Sequence, residues 1–196
     1  GDWTARTIGT HRGHDVEVGD IDGNGRLDVL VRGAGTTVVF LQTNALAWAR
    51  NQINSSGTEG SALGDIDRDG DLDVAQDGYW LEAPTNPATG AWPRHTVAEE
   101  WVNRVAVDLA DLNRDGRLDM ILAPSESSGR LVWYEGPANP RTDPWTEHVI
   151  DDTVSYLHTF KTADIDKDGD NDLVAAEMHQ SSDPDEVSIY FNEGDG

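Results

Sequence analysis

One acidic nonapeptide occurs four times, and no other feature limits the possible folds so strongly. Residues 20–28 read D-I-D-G-N-G-R-L-D, residues 65–73 D-I-D-R-D-G-D-L-D, residues 111–119 D-L-N-R-D-G-R-L-D and residues 164–172 D-I-D-K-D-G-D-N-D. Their starts lie 45, 46 and 53 residues apart. A period of ~40–50 residues suits four-stranded propeller blades, each too small to bury its apolar faces alone.

The repeat reaches well beyond the nonapeptide. A short apolar run leads into each acidic loop (residues 14–19, 60–64, 104–110 and 158–163), and another leaves it (27–31, 72–75, 118–123 and 173–176). A third, aromatic run follows at 38–41, 79–81, 131–134 and 188–191. A fourth begins with Trp and ends with a β-branched residue: 48–53, 92–97, 145–150 and, ahead of the first loop, 3–8. Runs of three to seven residues rich in Val, Ile, Leu and aromatics, divided by Gly, Pro, Asn and Asp, predict strands. No window holds a 3.6-residue apolar period, so helix should be scarce. The expected fold is an all-β propeller of four-stranded antiparallel blades in one domain, 1–196, with repeats at about 3–47, 48–91, 92–144 and 145–196. Trp3, Trp48, Trp92 and Trp145 recur with the blade and are expected to pack between blades.

The acidic loops carry the spacing of a cation site. Asp-x-Asp/Asn-x-Asp/Asn-Gly sets side-chain oxygens at alternate positions, and Gly at position six permits a sharp turn. Calcium takes six to eight oxygens at ~2.3–2.6 Å. Positions one, three, five and nine supply Asp20, Asp22, Asn24 and Asp28 in the first loop, and Asp65, Asp67, Asp69 and Asp73 in the second. They supply Asp111, Asn113, Asp115 and Asp119 in the third, and Asp164, Asp166, Asp168 and Asp172 in the fourth. The carbonyls at position seven belong to Arg26, Asp71, Arg117 and Asp170. Oxygen-only ligation favours calcium over zinc or copper, and magnesium demands a stricter octahedron. An EF-hand is excluded, because its position-twelve Glu is replaced by Val31, Gln76, Leu122 and Ala175. The expectation is about four Ca2+ per chain.

Charge agrees with this reading. The chain's 196 residues hold 37 acids against 14 basic residues, a formal charge of -23. Four calcium ions would add eight positive charges and leave -15. The acid excess argues against nucleic-acid partners, whose phosphates need a Lys/Arg surface. The longest apolar run is the five residues 45–49, far below the ~20 of a membrane span. Cysteine is absent, which excludes disulfides and thiolate chemistry. Seven Trp, four Tyr and three Phe spread along the chain argue for a packed core. Gly1 and Asp2 open directly into a polar segment, as expected of a mature or excised secreted domain and equally of a cytosolic one.

With four in-register loops, the chain resembles the FG-GAP/VCBS repeats of integrin-type calcium-binding β-propellers, over residues 3–192. The stretches W-Y-E-G-P at 133–137 and Y-W-L-E-A-P at 79–84 are similar to the W-Y-E-N-P element of bacterial and fungal VCBS proteins. The Phe-Gly…Gly-Ala-Pro half of the integrin motif is missing. The resemblance implies secretion and the company of carbohydrate-active enzymes such as polysaccharide lyases and dehydratases.

If the run before each loop is the innermost strand, the loops share one face of the disc. His14, Glu59, Asn103, Arg104 and His158 then open the first strands on the opposite face, and Arg32, Gln76, Asp77, Ser125, Glu126, Glu177 and His179 close the second strands there. His14, Arg104, His158, Glu177 and His179 are the candidate ligand residues, with Trp101 and Tyr156 as exposed aromatic candidates. His158 with Glu177 or His179 also suits proton abstraction from a uronic acid carbon. Three functions fit: an extracellular module recognising carbohydrate or protein, a lyase or dehydratase using this axial face, and a structural propeller with no small ligand. The fourth blade lacks an outermost strand, and residues 3–8 form such a strand without a blade. Residues 3–8 are therefore expected to pair, either with 188–191 to close a four-bladed ring or with blades from another chain or segment.

Overall fold

Each acidic nonapeptide turns the chain back on itself, and the apolar runs on either side pair antiparallel. The computed structural model describes residues 2–181 and 185–194, except the side chain of Asn54. Gly1 and the final residues 195 and 196 lie outside them. Blade one is the sheet β1 (Asp15–Gly19), β2 (Asp28–Gly33), β3 (Thr36–Asn44) and β4 (Ala47–Asn54), hydrogen-bonded in that order. Blade two is β5 (Ala62–Gly64), β6 (Asp73–Gln76), β7 (Tyr79–Leu81) and β8 (Arg94–Thr96). Blade three is β9 (Val105–Ala110), β10 (Asp119–Pro124), β11 (Leu131–Glu135) and β12 (Thr146–Asp151). Blade four has three strands, β13 (Thr159–Ala163), β14 (Asp172–Ala176) and β15 (Val187–Tyr190). No helix occurs among the described residues.

Alternation along each strand sends side chains to opposite faces, and each face meets a different neighbour. In β11, Leu131 and Trp133 pack with Phe160, Leu173 and Ala175 of blade four. Val132 and Tyr134 pack with Ala75 and Trp80 of blade two. Leu30, Val39 and Leu41 of blade one meet Val74, Leu81 and Trp92 of blade two. The core is thus three slabs between successive blades. Burying both faces explains why β6 and β10 are apolar throughout apart from their ends. The blade-packing role expected of the recurring Trp residues applies to Trp92, buried between blades one and two, and to Trp145, packed on the slab between blades two and three.

No fourth slab joins blade four to blade one among the described residues, and no closed ring is formed. The two ends of the arc expose the positions that other blades bury. Val16 and Val18 lie four and two residues before their loop, as Val107 and Leu109 do in blade three; the latter pair packs on blade two, whereas Val16 and Val18 are 60% and 57% exposed. Val187 and Ile189 match Leu131 and Trp133 in register, yet are 75% and 46% exposed.

The expected pairing of residues 3–8 is not found. Residues 2–13 contain no strand, and Trp3 is fully exposed. The segment that follows instead lies flat on the blade-one face bearing Phe40 and Val31. A methyl group at Gly9 would clash with Phe40 Cε1, and one at Gly13 would sit 2.5 Å from Val31 Cγ1. Two glycines without side chains allow this close approach to the sheet face.

Candidate metal centres and the opposite axial cavity

The acidic loops share an internal ladder of hydrogen bonds, with every rung present in the first three and the second and third rungs in the fourth. The position-one carboxylate accepts the N–H of the position-six glycine: Gly25 to Asp20 at 2.8 Å, Gly70 to Asp65 at 3.1 Å and Gly116 to Asp111 at 2.9 Å. The position-three side chain accepts the N–H of position five: Asn24 to Asp22 at 3.3 Å, Asp69 to Asp67 at 3.2 Å, Asp115 to Asn113 at 3.1 Å and Asp168 to Asp166 at 3.2 Å. Position five in turn accepts from position seven: Arg26 to Asn24, Asp71 to Asp69, Arg117 to Asp115 and Asp170 to Asp168. These local turns curl the side-chain oxygens inward. The position-six glycines have φ between 81° and 99°. Position four is also left-handed, at Gly23, Arg68, Arg114 and Lys167, which the spacing of glycines did not reveal.

Position nine does more than supply an oxygen. Asp28, Asp73, Asp119 and Asp172 are all at most 1% exposed. One oxygen of each accepts the N–H of position two, at Ile21, Ile66, Leu112 or Ile165, over 2.8–3.0 Å. The other accepts an N–H beyond or at the end of the third strand, at Gln42, Ala83, Gly136 or Asn192, over 2.7–2.9 Å. Each carboxylate therefore pins its loop to strand three. Its remaining lone pairs stay close to the loop oxygens.

Ligand oxygens of Asp20, Asp22 and Asp28 lie within 4.8 Å of one another, as do those of Asp65, Asp67 and Asp73, and of Asp164, Asp166 and Asp172. Burial pushes Asp73 up to about 7, the backbone N–H groups of Ala83 and Ile66 oppose it, and the charges of Asp67 and Asp69 reinforce it. Asp119 is pushed up to about 6, again mainly by burial. A divalent cation would remove this strain by favouring the ionised forms. Asp65 Oδ1 is buried without a hydrogen-bond partner among the described residues, which is costly unless a cation meets it. The donor set is oxygen only, so the residues fit calcium. Arginines already offset part of the charge: Arg141 reaches Asp67, Asp69 and Glu82 of blade two, and Arg114 reaches Asp170 of the neighbouring loop.

The register Asp15↔Arg32 and Val105↔Pro124 puts the starts of the first strands and the ends of the second strands at the end opposite the loops. A cavity of about 200 Å³ opens there between the inner strands, lined by His14, Asp15, Glu17, Glu59, His158 and Lys161 among others. Of the expected ligand residues, His14 and His158 meet in it, with ring centroids 5.7 Å apart. His14 Nε2 lies 3.0 Å from Glu59 Oε2. Arg104 lies in a neighbouring cleft, paired with Glu126 at 2.5 Å. Glu177 lines a third cavity and accepts the N–H of Ser155, and His179 is exposed on a turn.

Several side chains expected on this face are instead buried struts. Arg32 is fully buried and donates to Asp77 Oδ2 at 2.7 Å and to the Ser56 carbonyl at 3.0 Å, joining blades one and two. Gln76 accepts from Thr37 at 2.8 Å, and Ser125 bonds Glu59. Trp101 is no exposed platform: it is 8% exposed and donates its indole N–H to Tyr134 at 2.9 Å. Side-chain direction along a strand end depends on the neighbouring blade, which local sequence does not specify.

Antiparallel blades around an axis, with an acidic turn between the first two strands of each, define a propeller repeat domain. The chain belongs to the FG-GAP-like repeat family, whose model matches residues 20–75 and 111–175, more than half of its length. No curated protein matches the sequence. Among solved structures, the chain is similar in fold to a lectin of Agrocybe aegerita, described as showing specific recognition of non-reducing terminal N-acetylglucosamine. The TM-score is 0.54 and the identity 12%, over 90% of this chain and 52% of the lectin chain. The chain thus spans about half of that protein's length.

Proposed function

We propose that this is a calcium-stabilised, extracellular recognition module, with a carbohydrate or a protein as ligand. The repeated ladder of oxygen donors on one face carries the calcium part of the reading. The ligand part rests on the cavity at the opposite axial end, where imidazole, carboxylate and ammonium groups converge. Concave sites with a few convergent polar groups are the usual binding sites of such folds. The lectin described as recognising N-acetylglucosamine supports a sugar ligand by analogy of fold. Secretion suits the loops, because extracellular calcium modules bind with Kd of ~10⁻⁴–10⁻³ M, matched to calcium-rich surroundings. The open apolar ends of the arc take further blades, from a second copy or from a longer polypeptide.

The test is retention on immobilised neutral and acidic polysaccharides in millimolar calcium. Retention that is lost on substituting His158→Ala supports the axial site; retention unchanged by that substitution counts against it. A second reading, a polysaccharide lyase or dehydratase, draws on the meeting of two imidazoles with a buried carboxylate. It would release unsaturated uronate absorbing in the near ultraviolet, whereas a recognition module releases none.

A further inference from the structure

The axial cavity holds a second kind of ligand set, different in chemistry from the acidic loops. His14, Glu59 and His158 each offer one ligand atom, and the three atoms lie within 4.8 Å of one another. They come from blades one, two and four and from chain positions 144 residues apart at the extremes, so no local pattern joins them. We propose that these three side chains bind one divalent transition-metal ion of the zinc class, in a site separate from the calcium loops and not dependent on them.

The donor set selects the metal. Two imidazole nitrogens and one carboxylate oxygen suit zinc and its first-row neighbours, whereas calcium takes oxygen. Zinc bonds of ~2.0–2.1 Å to nitrogen put tetrahedral ligand atoms about 3.3 Å apart. His14 Nε2 and Glu59 Oε2 are already 3.0 Å apart, so rotation of the half-buried His158 ring completes the triangle.

The surroundings orient the ligands. Asp15 Oδ1 lies 3.2 Å from His14 Nδ1, so with a metal on Nε2 the Nδ1 proton has a carboxylate to bond. Asp15 is itself fixed, because its Oδ2 accepts the Gly60 N–H at 2.6 Å. Glu59 has a side chain only 5% exposed; Ser125 holds its Oε1 and leaves Oε2 directed at His14. Asp15, Glu17 and Glu59 outnumber Lys161 among the charged lining groups, and Lys161 is paired with Asp108 at 3.4 Å. The cavity therefore favours a cation. Three protein ligands leave a fourth position toward the cavity, where a water or a small anion completes the shell.

The experiment titrates chelator-treated protein with zinc in millimolar calcium, followed by calorimetry, so that calcium occupies the loops. One zinc per chain is expected, with affinity reduced at least tenfold in His158→Ala and in His14→Ala. Glu59→Gln is the third variant. In the wild-type protein, zinc should also shield His14 and His158 from diethyl pyrocarbonate, read by mass spectrometry, while the exposed His179 stays reactive. This footprint needs no variant to fold. Zinc uptake unchanged in the two His variants, equal modification of His14 and His158 with and without zinc, or no zinc uptake would each overturn the proposal. Loops that fail to bind calcium would show as extra zinc equivalents with no effect on the His14 and His158 footprint, and so stand apart.

Discussion

The buried carboxylate of Asp73 accepts the backbone N–H of Ala83 at 2.8 Å, ten residues along the chain. Its other oxygen accepts Ile66 N–H at 3.0 Å, so one side chain fastens the acidic loop to the third strand. Asp28, Asp119 and Asp172 repeat the arrangement. Losing this acceptor leaves two backbone N–H groups without a partner, at ~1–3 kcal/mol each where they are buried. Asp73→Ala should therefore destabilise the calcium-free protein by about 2–4 kcal/mol. Asp69→Asn, in the exposed part of the loop, should cost under about 1 kcal/mol. Urea midpoints in the presence of a chelator measure both, and equal losses would show that position nine has no special structural part.

Calcium occupancy has its own test. Calorimetry should find about four ions per wild-type chain and one fewer in Asp67→Ala. A chelator should lower the melting temperature, since binding at a hundredfold excess over Kd stabilises by ~2.7 kcal/mol per site. Fewer than two ions, or a melting curve indifferent to chelator, would refute structural calcium.

The pH dependence has a definite sign without calcium. Asp73 is pushed up to about 7 and Asp119 to about 6 in the folded chain, above their unfolded value of 3.8. The folded state then holds more protons than the unfolded state between about pH 4 and 7. The contribution of these two groups to stability is full below about pH 4 and is lost as pH rises through 6 to 7. Calcium binding needs the ionised carboxylates, so calcium affinity should rise over the same window. Melting temperatures across this range, with chelator and with calcium, should diverge as pH increases; parallel curves would contradict it.

The open ends of the arc predict association. Val16 and Val18 at one end, and Val187 and Ile189 at the other, are different surfaces, so two copies meet head to tail. Light scattering after size exclusion should show a species heavier than the 21.4 kDa chain. Ile189→Asp should shift it toward the monomer. A strict wild-type monomer would show that these faces tolerate water.

The sequence alone determined the blade pattern. The ladder Asp-x-Asp-x-Asp-Gly is a local device, built from side chains and N–H groups two to five residues apart, so its spacing can be read directly. Strand positions followed for the same reason, because short apolar runs and the turn residues between them act locally. Tertiary structure decided what depends on neighbouring blades. It put Arg32 and Trp101 inside rather than on a ligand face, and set Gly9 and Gly13 against Phe40 and Val31, with no strand formed by residues 3–8. It also brought His14, Glu59 and His158 to one cavity. Those outcomes depend on how successive sheets stack around the axis, through contacts between residues tens of positions apart, and no local periodicity records them.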